Sequence, residues 1–301
     1  MKWFLLALTV ALSGCSAFAD EPTDDRVVAA AFYPLEYAAH RVAGEHLTVR
    51  SLTSPGVEPH DLELGIQETS TVSDAAVVVY QHGFQPAVDD VVATSATGTV
   101  LDAAEVVELV PLEDHGAEEE DHEGHDHGEA DPHFWLDPLL MADLGDALAG
   151  VLAEADADHA DDYADNAAAL RSDLEELDRS YAAGLAGCAR DTVVVSHDAF
   201  GYLTRYGLHF ESIAGSSPDA EPTAADLARL GELVRSEGVT TVFSETLIGS
   251  ALADTLAGDL GIESAVLDPI EGLGDTTAEE DYLSLMRSNL AALERANGCA
   301  P

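Results

Sequence analysis

Residues 158–185 read DHADDYADNAAALRSDLEELDRSYAAGL. The larger side chains in this stretch are Tyr163, Asn166, Leu170, Leu174, Leu177, Tyr181 and Leu185, separated by steps of 3, 4, 4, 3, 4 and 4. That spacing places them on one face of an α-helix. No proline interrupts the stretch, and glycine enters only at Gly184. At 1.5 Å per residue such a helix is roughly 40 Å long, enough to run past two domains. A surface helix of one domain has the same pattern; a strut between domains is favoured because a second α/β pattern starts directly after it.

On the N-terminal side, Val27 to Phe32 is a short apolar run, followed by Pro34 and a helix-like stretch to Ala43. Leu47 to Leu52 alternates as a strand does, and Ala76 to Tyr80 is a β-branched run suited to a buried strand. Thr99 to Leu101 is a weaker strand candidate, and a helix is expected from Leu140 to Glu154. On the C-terminal side, strands are expected at Thr192–Ser196, Val239–Phe243 and Ser264–Leu267. They alternate with helices at Thr223–Ser236, Ile248–Leu260 and Glu279–Arg295, with Pro222 and Gly238 punctuating the first of these. Strands alternating with helices predict an α/β fold: two lobes with mainly parallel sheets joined by one long interdomain helix. The expected division is an N-terminal lobe over 26–154, the helix over 155–187 and a C-terminal lobe over 188–301.

Residues 113–129, EDHGAEEEDHEGHDHGE, break the alternation. With no large apolar residue the segment cannot bury itself, so it is expected to be a solvated loop of the first lobe.

The chain carries 58 acidic against 12 basic residues, a formal charge of −46, and Lys2 is its only lysine. Such a surface repels nucleic acid and anionic headgroups, so neither is an expected partner. Salt adaptation or compositional bias accounts for the charge at least as well as a preference for cationic ligands. At the N-terminus, Lys2 precedes an apolar stretch from Trp3 to Leu12, too short to span a bilayer as a mature helix. Leu12-Ser13-Gly14-Cys15 then resembles a bacterial lipobox, which implies a lipoprotein signal peptide over 1–14, cleavage before Cys15 and lipidation of its sulfur. Residues 15–25 read as a tether. Outside the cytoplasm the two remaining cysteines, Cys188 and Cys299, are expected to pair. Closing so long a loop stabilises by roughly 4–5 kcal/mol in the chain-entropy description.

Among twelve histidines, three stand in distinctive settings. His60 lies in Gly56-Val57-Glu58-Pro59-His60-Asp61, His133 in Asp131-Pro132-His133-Phe134-Trp135-Leu136-Asp137-Pro138, and His197 in Ser196-His197-Asp198-Ala199-Phe200-Gly201-Tyr202. Asp268 stands in Leu267-Asp268-Pro269. Ligands of open α/β sheets bind beyond the carboxyl ends of strands, where three of these four residues fall. Two come from each half of the chain, so a cleft between lobes is where they would converge. Three neutral imidazoles and one carboxylate suit tetrahedral Zn2+, although imidazole also serves copper, nickel and iron.

Taken in order, the Tyr33-Pro34 segment and the motifs around His60, His133, His197 and Asp268 resemble the metal-specific solute-binding proteins of ABC importers. This is the cluster A-I family, which includes zinc- and manganese-binding lipoproteins. The resemblance spans nearly the whole mature chain. It implies a metal in the cleft between two α/β lobes, held by His60, His133, His197 and Asp268. It also implies a partner permease with its ATPase, and an extracytoplasmic location with the chain held to the membrane through Cys15. A monomer is expected. Manganese-type relatives tend to have a glutamate where His197 stands, and an imidazole there favours Zn2+ over Mn2+. Glu58 is a candidate auxiliary ligand or a solvated loop acid. His115, His122, His125 and His127 are candidate weak ligands in the acidic loop, whose alternative role is solubility; zinc-type members often carry such an insertion before the Asp-Pro-His motif.

Two other functions compete. A zinc hydrolase would keep one coordination position open, whereas four protein donors close it. The sequence has no His-Glu-x-x-His and no Gly-x-Ser-x-Gly. A metal-dependent surface adhesin would need a protein-binding face that sequence does not display.

Overall fold

Valine runs make the centre of the first sheet. In the computed structural model, which describes residues 26–111, 130–215, 218 and 220–300, β1 (Val27–Ala30), β2 (Thr48–Ser51), β3 (Val77–Tyr80) and β4 (Thr99–Asp102) pair in the order β2-β1-β3-β4, all parallel. Val28 stands level with Val49 on one side and Val77 on the other. Helices α1 (Tyr33–Ala43), α2 (Ile66–Asp74) and α3 (Pro86–Ser95) connect these strands, and the single turn α4 (Ala103–Val106) follows β4. Cys15, the tether and the loop histidines His115, His122, His125 and His127 lie outside the described residues.

The second half repeats the plan. After α5 (Pro138–Ala155) and α6 (Ala160–Gly184) come β5 (Thr192–Val195), β6 (His209–Ser212), α7 (Ala224–Glu237), β7 (Thr241–Ser244), α8 (Ala251–Leu260), β8 (Glu263–Val266) and α9 (Tyr282–Asn297). The strands pair in parallel as β6-β5-β7-β8, the same order as in the first lobe. The side chains of β5 alternate in the way a two-faced sheet requires. Val193 and Val195 join the large core that runs through both lobes, while Val194 packs with Leu230, Val234 and Val242 in a smaller core under α7 and α8. In each sheet the first strand lies between the second and the third, which puts a topological switch point at β1/β3 and at β5/β7.

Helix α6 buries Tyr163, Ala167, Leu170, Leu174, Leu177 and Tyr181, the face its spacing predicts. Asn166 is half-buried and donates to the Val42 carbonyl at 3.0 Å. The helix touches both lobes. Arg41 of α1 meets Asp173 at 2.6 Å, while the Tyr181 hydroxyl donates to the Met286 carbonyl of α9 at 2.7 Å. Its start is fastened through the buried Asp156, which accepts from His159 Nδ1 at 2.6 Å and the Tyr163 hydroxyl at 2.7 Å and pairs with Arg26 at 3.0 Å. Beyond its far end a disulfide joins Cys188 to Cys299, just past α9.

Besides the short helical turns such as α4, three elements have no counterpart in the sequence pattern. Helix α2 buries only Val72 and leaves Ile66 89% exposed, so no apolar stripe marks it. Helix α3 buries only Val88 and Val92. Strand β6 is four residues long with two buried, too short to show its alternation. Among the described residues no helix is long and apolar enough to cross a membrane.

Candidate metal centre

Each lobe presents two side chains at the carboxyl ends of its strands. His60 stands in the loop between β2 and α2, and His133 opens the 3-10 turn Phe134–Leu136 that leads into α5. Asp137 caps α5 by accepting from Leu139 N, and Pro138 fills the first helical position. His197 follows β5, so it sits at the switch point of the second sheet. The fourth member is Glu271, five residues beyond the end of β8.

One donor atom from each of His60, His133, His197 and Glu271 lies within 4.8 Å of every other, and among the described residues this is the one such group. All three imidazoles turn Nε2 inward: Glu271 Oε1 is 3.3 Å from His60 and His133 and 3.4 Å from His197. Buried Nε2 of His133 and of His197 nevertheless lack a hydrogen bond of acceptable geometry, despite those distances. Buried polar atoms are nearly always satisfied. Three inward nitrogens, which bind a metal once deprotonated, and one carboxylate oxygen match the donor set of a tetrahedral zinc site.

A second layer fixes the rings. Asp131 Oδ1 is 2.7 Å from His133 Nδ1, and Glu245 Oε1 is 2.7 Å from His197 Nδ1. Protonation on Nδ1 leaves Nε2 free to coordinate, the carboxylate–histidine arrangement common behind metal ligands. Phe84 packs edge-on against His60 at 4.7 Å, and Trp135 against His133 at 5.3 Å, so aromatic rings wall the N-terminal side. Side chains of His133, His197 and Glu271 are almost wholly buried, while His60 keeps 19% exposure and forms the open edge.

Electrostatics follow from this crowding. Burial works against charge on His197, but hydrogen bonds to Glu245 and Glu271 outweigh it and push its pKa up to about 10. His133 is raised in the same way, burial opposing and Asp131 and Glu271 prevailing. Glu271 is itself buried, yet the three imidazoles hold it well below the ordinary carboxylate range. Glu58 goes the other way: burial, and then the charge of Glu271, push it up to about 8.

The structure thus assembles His60, His133 and His197 and replaces the fourth expected donor. Asp268 is buried beside the site, but its carboxylate is committed elsewhere, accepting from the Thr246 hydroxyl and from Ile270 N at 2.7 Å. Its backbone is pinned by Asn289, which donates to the Asp268 carbonyl at 2.6 Å and accepts from its N–H at 2.9 Å. Ile270 then takes a φ of 61°, a left-handed conformation that β-branched residues avoid. That turn aims the next residue, Glu271, at the histidines. Glu58 is adjacent but outside the donor group; one of its oxygens accepts from His60 N at 2.9 Å. Glu271, Glu245 and Asp131 escaped the sequence reading. Their one signal is position just after a strand or just before a histidine, which little distinguishes them among 58 acids.

Known proteins resemble this chain in sequence and fold. A family profile, ZnuA, described as zinc-uptake complex component A periplasmic, matches residues 28–296. The zinc-binding lipoprotein AdcA of Streptococcus pneumoniae is 35% identical over 277 residues, 88% of this chain but 54% of AdcA. The chain therefore spans about half the length of the streptococcal relatives it matches. The high-affinity zinc uptake system protein ZnuA of Bacillus subtilis is 30% identical over 303 residues, covering 97% of this chain and 93% of that protein. The crystal structure of Zn(II)-bound AdcA from S. pneumoniae superposes with a TM-score of 0.76 at 32% identity, covering 91% of this chain and 58% of that one. With a profile match over nearly all of the described chain, and donors from both lobes meeting in one buried group, the protein belongs to the ZnuA family.

Proposed function

We propose that this protein captures Zn2+ between its lobes and delivers it to an ABC-type importer, with His60, His133, His197 and Glu271 as the ligands. The observation that carries this is the convergence of three inward imidazole nitrogens on one carboxylate oxygen at 3.3–3.4 Å. Four protein donors close a tetrahedral site, which suits capture rather than hydrolysis. Three nitrogen donors favour Zn2+ over Mn2+, which prefers oxygen and higher coordination. The relatives' names, zinc-binding lipoprotein and zinc uptake protein, support the same cargo.

The physiological setting belongs to this proposal. The signal peptide over 1–14, an anchor on Cys15, the tether to residue 25 and an extracytoplasmic monomer presenting metal to a permease–ATPase complex follow from the lipobox and the family. Residues 26–154 and 188–301 would act as lobes on the helical segment 155–187. The loop with His115, His122, His125 and His127 would gather cations weakly for the tight site.

Metal analysis of the purified protein, paired with calorimetric competition of Zn2+ against Mn2+, tests the cargo. One tightly held Zn2+ per chain that Mn2+ does not displace is expected; Mn2+ displacing it at equal concentration overturns the assignment. Deleting residues 113–129 should leave that tight site and remove weaker stoichiometry; loss of the tight site would mean the loop supplies it.

A further inference from the structure

Two of the proposed ligands sit in the same tripeptide, acid–proline–histidine: Glu58-Pro59-His60 and Asp131-Pro132-His133. In each, the peptide plane between proline and histidine is held at both ends. Its N–H donates to the carboxylate two residues back, His60 N to Glu58 at 2.9 Å and His133 N to Asp131 at 2.9 Å. Its carbonyl accepts from a glutamine amide: Gln85 Nε2 reaches the Pro59 carbonyl at 3.1 Å, and Gln81 Nε2 the Pro132 carbonyl at 2.8 Å. Both glutamines come from one short segment between β3 and α3, and each is 2% exposed. Phe84, between them, packs on the His60 ring at 4.7 Å.

We infer that Gln81 and Gln85 are the positioning residues that set the spacing of His60 and His133, so that one segment tunes the affinity of the metal site. The amide orientation is settled by chemistry, since a proline carbonyl can only accept and the amide nitrogen must face it. Gln85 also donates to the Thr53 hydroxyl at 3.1 Å, and Thr53 donates to the Ala31 carbonyl at 2.8 Å. The His60 loop is thereby tied to the ends of β1 and β2. Each glutamine's Oε1 is buried with no protein hydrogen-bond partner. A group that leaves a buried acceptor unpaired gives a poor return in stability. Its role is directional, because fixing a peptide plane at both ends fixes the N–Cα bond from which the histidine side chain is carried.

This inference rests on the zinc reading above, and the test separates the two. Gln81→Met and Gln85→Met keep side-chain volume, remove the donor and also remove the unpaired Oε1. Zn2+ affinity by chelator competition, the visible spectrum of the Co2+-loaded protein and thermal unfolding of the apoprotein are measured on the parent and on each variant. Affinity is expected to fall about 10- to 100-fold in each variant, the usual cost of losing a partner behind a metal ligand. The Co2+ bands should shift in position or intensity while apoprotein unfolding stays within a few degrees of the parent. Parent-like affinity and Co2+ spectra in both variants would overturn the inference and leave the zinc reading standing. So would a loss of affinity matched by a proportionate loss of apoprotein stability with unchanged spectra. A parent that binds neither Zn2+ nor Co2+ tightly would overturn both.

Discussion

Glutamate and aspartate three positions apart do different work here. Glu271 contributes its oxygen to the donor group, whereas Asp268 builds the turn that aims it. Glu271→Gln should therefore lower Zn2+ affinity by at least the about 10- to 100-fold that an outer partner costs. Asp268→Ala should act first on the fold, leaving the Ile270 N–H unpaired in a buried site at about 1–3 kcal/mol. Chelator competition and denaturant unfolding of the two variants separate these effects; equal affinity losses with unchanged stability would return Asp268 to the ligand set. The three histidines were legible because each stands in a distinctive motif, His60 and His133 directly after a proline and His197 just past a strand end. The carboxylate was not. A rule that looks just past a strand finds Asp268 first, and nothing in the letters shows that Ile270 will adopt φ 61° and hand the role to the next residue. Glu245, directly after β7, was equally visible in principle and equally anonymous among so many acids.

At the scale of elements, α6 was the most readable because its core face recurs every 3–4 residues for 25 residues. Strand β6 and helices α2 and α3 bury too few side chains to write a period. The ends of α6 are where its fastening can be tested. Burial alone would raise the Asp156 pKa, but hydrogen bonds from Tyr163 and His159 and the charge of Arg26 hold it at about 2. A carboxylate depressed in the folded state stabilises above its unfolded pKa of about 3.9, and that contribution fades as pH falls from about 4 towards 2. Asp156→Ala should cost about 2 kcal/mol near neutral pH, since the buried Tyr163 hydroxyl loses its acceptor. The difference from the parent in urea unfolding should shrink below pH 4; a pH-independent difference would remove the charge from the explanation. At the other end, replacing Cys188 and Cys299 together by serine opens a loop of sequence separation 111. The chain-entropy description assigns that loop about 4–5 kcal/mol, a fall on the order of 10 °C in unfolding temperature.

For the molecule as a whole, protons and metal compete for the same cage. His133 and His197 are raised by their carboxylate partners, His197 to about 10. A histidine raised in the folded state contributes stability that is complete below its unfolded pKa near 6.5 and is lost as pH climbs through its folded value. That contribution to the metal-free protein should therefore weaken from about pH 6.5 upward. Metal binding needs the same nitrogens deprotonated, so zinc stabilisation should grow over the same range. The gap between unfolding temperatures with and without Zn2+ is expected to widen steadily from pH 5.5 to 9. Parallel curves would mean that the histidines bind no protons in the metal-free state.

The matched strand orders, β2-β1-β3-β4 and β6-β5-β7-β8, carry one more consequence. Each half of the polypeptide brings two donors, imidazole with imidazole from one side and imidazole with carboxylate from the other. Neither pair alone completes a tetrahedron, so under the proposed function tight capture would work as a logical AND of the two halves. A bound ion would then report that both halves are docked, and a membrane partner that pried them even slightly apart would halve the coordination and free the ion without touching any donor.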